Sequence, residues 1–201
     1  MNATEPASWI AFSRNECIAS GAPREVAAEV KRYADSHAQN NVLVFDARTS
    51  QTVEIDLRGS LSTVLKRLPA KPEQNASTPA VSKRTAGRPK LGVVAREVTL
   101  LPRHWEWLAG QPGGASVALR KLVEHGMRSN KDTDRIRQAR EAAYRFMNVM
   151  AGNKPGFEEA IRALFAGDIE RLQHLASKWP RDVRNHALSL ASASTGAGNQ
   201  G

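Results

Sequence analysis

Lys83, Arg84, Arg88 and Lys90 crowd a short stretch spaced by Thr85, Ala86, Gly87 and Pro89. Cations this dense suit a polyanion, because each one that neutralises a phosphate releases a counterion. Gly87 leaves the backbone thin enough for close approach, and Pro89 holds it extended. Arg96 and Thr99 follow in a β-branched run, and Ser116, Arg120 and Lys121 fall early in a helical pattern. All five are donors of the kind that reach phosphates or base edges. The residue types of catalysis are present but unassembled. The chain holds no His-Glu-x-x-His, no Gly-rich phosphate loop ending in Lys-Ser/Thr, and no Gly-x-Ser-x-Gly elbow. His37, His104, His125, His174 and His186 have no ligand spacing and read as surface or helix-end histidines. Cys17 lacks a neighbouring His or cation in sequence, so it reads as a small buried hydrophobe rather than a nucleophile. Asp46, Glu54 and Asp56 read as a turn opener and the wet face of a strand, not as metal ligands. The expectation is therefore no enzyme, no catalytic residue, no metal and no cofactor.

The distribution of charge sharpens this. Residues 1–64 carry 6 Lys+Arg and 8 Asp+Glu, residues 65–131 carry 13 and 4, and residues 132–201 carry 10 and 8. The middle segment thus holds the entire net +9 of the chain. Such a field favours nucleic acid ahead of membrane lipid, with a merely solubilising linker as the bland alternative. Apolar residues make up 41% of the chain, enough for a packed core, yet no run is long enough to span a bilayer. The N-terminus MNATEPASWIAFSRNE has neither a basic n-region nor an apolar h-region, so no secretory signal is expected. One cysteine in 201 residues fits a reducing cytoplasm.

Five segments must position these residues, and together they predict an α+β chain. Residues 8–68 read as a small ββαββ unit. Ser8–Phe12 and Cys17–Ser20 flank a hairpin turn, and Pro23 opens a helix with Val26, Ala27, Val30, Tyr33 and Ala34 inward. Asn41–Asp46 and Thr52–Leu57 form a second strand pair, followed by two helical turns capped by Ser60. Residues 69–90, rich in Pro, Ala, Ser, Thr, Lys and Arg, are a basic linker, disordered when free. Residues 91–131 read as a strand over Val93–Leu101, then a helix opened by Pro102 with Trp105 and Leu108 inward. The turn Gly110–Gly114 leads to a second helix with Val117, Ala118, Leu119, Leu122, Val123 and Gly126 inward. Residues 132–191 are a helical bundle: Asp132–Met150, Phe157–Ala166, Asp168–Lys178 with Asp168 as N-cap, and Arg181–Ala191. Residues 192–201 are a disordered small-residue tail.

Gly87-Arg88-Pro89 resembles the core of the AT-hook, an arm that lies in the minor groove of A·T-rich DNA, with Ala86 where that motif has an arginine. The strand-helix-turn-helix order of residues 91–131 resembles a ribbon-helix-helix domain, whose paired strands from two subunits enter the major groove. The resemblance implies Val98 and Leu100 toward a dimer core and Glu97 and Thr99 toward bases, or Arg96 and Val98 if the strand slips by one. It also implies backbone N–H groups at Gly114, Ala115 and Ser116 aimed at a phosphate. Two alternatives stay open. One is a helix-turn-helix with Leu108-Ala109, Gly113 and Val117 as packing positions and Arg120 and Lys121 in the groove. The other is an ordinary core that buries the tryptophans. Across nearly the whole chain, GRPKLGVVAREVTLLPRHWEWLAGQPGGASVALRKLVE, EAAYRFMNVMAG and GFEEAIRALFAGD resemble the bacterial domain-of-unknown-function family numbered 2239. That resemblance implies a bacterial protein and supplies no catalytic residue.

The functional expectation is a cytoplasmic DNA-binding regulator, homodimeric through residues 93–128. Its arm would anchor through Arg84, Arg88 and Lys90, and Arg96 and Thr99 would contact bases. The alternative is a protein-interaction module, antitoxin-like in plan, with the basic linker as a tether and a protein partner on the N-terminal or C-terminal unit.

Overall fold

A computed structural model describes residues 8–37, 39–68, 94 and 96–195. Every residue of the strand Trp9–Ser13 (β1) is buried, although its side chains alternate between two faces. Only a central strand covered on both sides meets that condition. It is flanked by Glu16–Gly21 (β2) and Val42–Asp46 (β3), both antiparallel, in the order β2-β1-β3. The hairpin turns through Arg14, whose φ of 55° is left-handed. Cys17 and Ala19 face Phe12 and Ala11, so Ile18 is the extra residue of a β-bulge.

Asp46 opens the next turn, its Oδ1 accepting from the Thr49 amide at 2.7 Å. The fourth strand expected over Thr52–Leu57 does not form. Thr52 makes a single bridge to Phe45, and the Val53 amide donates to the Val44 carbonyl at 2.8 Å. Beyond it the chain leaves the ladder. The Asp56 carboxylate gathers the Arg58 amide and the Arg58 and Arg67 guanidiniums, so side-chain contacts hold this segment where strand pairing was expected. The alternation itself survives: Val53, Ile55 and Leu57 pack inward while Glu54 and Asp56 face water. The N-terminal plan is ββαβ plus an extended cover.

The two faces of the sheet receive different layers. Trp9, Ala11 and Val44 meet Val26, Ala27 and Val30 of the helix Pro23–Ser36 (α1). The short helix Leu61–Arg67 (α2) adds Leu65 to this layer and is capped by Ser60, whose Oγ accepts from the Thr63 amide. Ile10, Phe12 and Phe45 point the other way, into four C-terminal helices. These are Lys131–Ala151 (α5), Phe157–Ala166 (α6), Ile169–Leu175 (α7) and Arg181–Ser192 (α8). Segments 8–68 and 132–191, distinct in the sequence reading, share one core. Phe12 and Phe45 lie 5.3 and 5.5 Å from Phe146 of α5 between ring centroids. The Arg145 guanidinium donates to the Thr49 carbonyl at 2.9 Å, and the Cys17 amide at the bulge donates to Asp182 of α8 at 3.0 Å.

Two details at the C-terminus differ from expectation. The third bundle helix ends at Leu175 and continues as a 3-10 turn, Ala176–Lys178, which lets Trp179 donate from Nε1 to the Pro155 carbonyl at 3.0 Å. The tail does not begin at Ser192. That residue completes α8, and Ser194 is buried with its hydroxyl donating to the Ala191 carbonyl at 2.6 Å.

The chain divides into two compact units, Met1–Pro69 with Asp132–Gly201, and Ala70–Lys131. In the second, Pro102–Ala109 (α3) and Gly114–Ser129 (α4) form a helical hairpin. No helix among the described residues is long and apolar enough to cross a membrane.

Candidate nucleic-acid interface

The hairpin turn is set by Gly113, with φ of 86°, and a Cβ there would press the Val117 side chain at 3.2 Å. Gly113 precedes α4 without a capping side chain, so the first amides of α4, at Ala115 and Ser116, have no side-chain acceptor. Those N–H groups and the Ser116 hydroxyl stand at the positive end of a sixteen-residue helix.

Of the expected contact residues, α4 brings three together. Ser116 and Arg120 share a row one turn apart, the Arg120 Nε donating to the Ser116 carbonyl at 3.1 Å. Glu124 and Arg128 continue that row, with Arg128 3.7 Å from the Glu124 carboxylate. Lys121 and His125 occupy the next row round the helix, beside Arg128. Arg120, Lys121 and Arg128 are all exposed. Arg96 and Thr99 are exposed in the segment before α3, and Arg103 is exposed on α3. Among the described residues, Arg96, Arg103, Arg120 and Lys121 pair with no carboxylate. In the other unit, Arg32, Arg58, Arg67, Arg135, Arg137, Arg145 and Arg162 sit in ion pairs, while Arg14, Arg24, Arg48, Arg140, Arg171, Arg181 and Arg184 do not among the described residues. Arg103 and Arg128 were missed by sequence reasoning, although helical spacing from Lys121 could have found Arg128. Lys83, Arg84, Gly87, Arg88, Pro89 and Lys90, like the whole of the linker 69–90, lie outside the described residues.

Three expectations for this unit need correction. The described part of Val93–Leu101 is not a strand and has no ladder partner among the described residues, and Val94 and Val98 are 73% and 56% exposed. Trp105 is 42% exposed, so Leu108 is the buried anchor of α3. Leu122 and Val123, expected inward, are exposed, and Ala118 is the buried contact of α4. The cause is geometric. An eight-residue helix covers about two turns of its partner, and α4 has more than four.

The sheet unit offers little chemistry by comparison. An open groove of about 610 Å³ between α7 and α8 is lined by Glu170, Gln173, His174, Ser177, Arg184 and Asn185, and Arg184 donates there to the Ser177 carbonyl at 3.3 Å. Burial, and then the Asp182 carboxylate, push the Cys17 thiol up, the opposite of what a nucleophile needs. His186, edge-on to Phe146 with centroids 4.5 Å apart, is pushed down to about 4 by burial. Arg58 and Arg67 hold Asp56 well below the usual carboxylate range. Among the described residues no three His, Cys, Asp or Glu side chains converge as a metal would require.

These elements define an α+β protein, a three-stranded antiparallel sheet between helical layers, carrying a separate basic helical hairpin. The chain belongs to the family DUF2239, described as an uncharacterised protein conserved in bacteria, whose pattern matches residues 8–191. No curated protein and no solved structure matches the chain.

Proposed function

We propose that the protein is a non-enzymatic DNA-binding regulator of the cytoplasm, and that residues 70–131 are its contacting unit. One observation carries this reading. Residues 70–131 hold 11 Lys+Arg against 4 Asp+Glu, while the flanking segments are close to neutral. The exposed cations of this unit are largely without carboxylate partners among the described residues, so their charge is available to a polyanion. Arg84, Arg88 and Lys90 act as an arm on phosphate or minor groove. Arg96 and Thr99 contact bases in a ribbon-helix-helix docking, and Ser116, Arg120 and Lys121, along the first half of α4, hold phosphate. The test is a filter-binding titration of the full chain on duplex DNA. If about six phosphates are neutralised, log K falls with log salt with a slope near −5. No binding at about 50 mM salt overturns the reading.

A second reading is favoured by the exposed apolar side chains of α3 and α4. In it the chain is a protein-interaction module, antitoxin-like in plan, whose basic linker is a tether. Recovery of a stoichiometric protein partner, with no effect on DNA mobility, selects it.

A further inference from the structure

The helix α4 carries more apolar surface than α3 covers. Leu119, Val123 and Met127 form one row along it and Leu122 lies in the neighbouring row, with Leu122, Val123 and Met127 exposed by 50, 59 and 66%. Leu108 and Ala118 are the buried apolar residues of the hairpin among the described residues. Helices of 8 and 16 residues draw most of their stability from a packed amphipathic face, and two buried side chains are a small share of one. The cover has to come from elsewhere.

We propose that the cover is α4 of a second copy of this chain, packed antiparallel about a two-fold axis at Leu122. The charges beside the apolar row point to self-pairing. Arg120, Glu124 and Arg128 run along one border of Leu119, Val123 and Met127. When two identical helices pack antiparallel, the same border of each meets its own copy. An axis at Leu122 sets residues two positions before it opposite residues two positions after it. Arg120 then faces the partner's Glu124, and Glu124 faces the partner's Arg120, so one match is made twice. An unrelated partner has no reason to meet a pattern complementary to itself. Gly126 also lies on the packing face, and a Cβ there would meet nothing within 4 Å, which leaves room for close helix approach. The homodimer expected from the sequence ran through residues 93–128, strand and helices together, and the uncovered face of α4 centres it on the second helix. This inference does not rest on nucleic-acid binding.

Sedimentation equilibrium of the full chain, free of nucleic acid, tests it. The expected mass is twice 21.9 kDa. Val123→Glu raises the dimer dissociation constant at least ~10-fold by burying a charge at the centre of the face. Arg120→Glu and Glu124→Arg each set two like-charge contacts across the axis and raise it roughly three- to ten-fold. The double variant Arg120→Glu with Glu124→Arg restores the contacts in reverse and returns the constant to about the wild-type value. A variant that merely unfolded would not be rescued in this way. A single-copy mass at about 100 µM, with the face covered by another protein or by the rest of the chain, overturns the proposal. So does a dimer that tolerates Val123→Glu, or one in which the swapped pair is no better than either single change.

Discussion

His186 shows how a residue without a chemical partner can still set behaviour in solution. Its ring lies edge-on to Phe146 and 6.0 Å from Phe12 between centroids, and its Nε2 is buried with no hydrogen-bond partner among the described residues. Burial alone pushes its pKa down to about 4. The unfolded chain takes up this proton below about 6.5, whereas the folded chain resists until about 4. The neutral ring's contribution is therefore complete above the unfolded value and is lost as pH falls toward the folded one. The loss is at most about 3 kcal/mol. Urea midpoints at pH 7 and pH 4.5 should differ in that direction, and His186→Leu should flatten the difference. An unchanged pH dependence in His186→Leu counts against this account. Asp182, one turn earlier on α8, is the carboxylate nearest in sequence and is engaged with the Cys17 amide. None of this was legible from the chain. A histidine amid alanines and leucines reads the same whether it faces water or two phenylalanines, and Phe12 lies 174 positions from His186 in sequence.

At the scale of elements, local chemistry was readable wherever the chain itself supplied the cause. Pro23 and Pro102 start helices because their missing N–H is no loss there, and Ser60 and Asp168 cap helices through their own side chains. Reading failed where the cause lay far away. The alternation at Val53, Ile55 and Leu57 does mark a buried face, but that face covers α1 and α2 without joining the ladder. Trp105 carries the apolar signature of a core residue and stands half in solvent. The bulge at Cys17–Ile18 is another such case, because its freed amide is satisfied by α8. Asp182→Ala should lower stability by about 1.5–3 kcal/mol, the worth of a hydrogen bond to a charged group. Asp182→Asn, which keeps an acceptor, should lose less. Urea denaturation of the two variants measures both, and equal stability in all three proteins would show that the Cys17 amide needs no partner.

The whole molecule is assembled across a sequence gap, and this is its most consequential feature. One face of the sheet is made by the first 46 residues and covered by helices that begin at residue 131. Among the described residues of 8–68, only the partly buried Cys17, Leu43 and Ala47 join Ile10, Phe12 and Phe45 on that face, so their burial depends on Phe146, Leu164, Leu172 and Val183. The bundle depends on the sheet in return, because Phe146 is enclosed partly by Phe12 and Phe45. Residues 70–131 are inserted between the two halves of this core, and an insertion is tolerated when its closure entropy grows only slowly with length. Expressed separately, residues 1–69 and 132–201 should each lack a cooperative thermal transition and should bind a hydrophobic dye, since each exposes half of a core. Mixed in equal amounts they should recover a single cooperative transition, and near-ultraviolet circular dichroism of the aromatic cluster should return with it. Phe146→Ala in the second fragment should abolish the recovery, because Phe146 touches both phenylalanines of the sheet and truncating a buried Phe costs about 3–5 kcal/mol. A cooperative transition in residues 1–69 alone would mean that the sheet and α1 suffice, and that the shared core is an association of two finished domains.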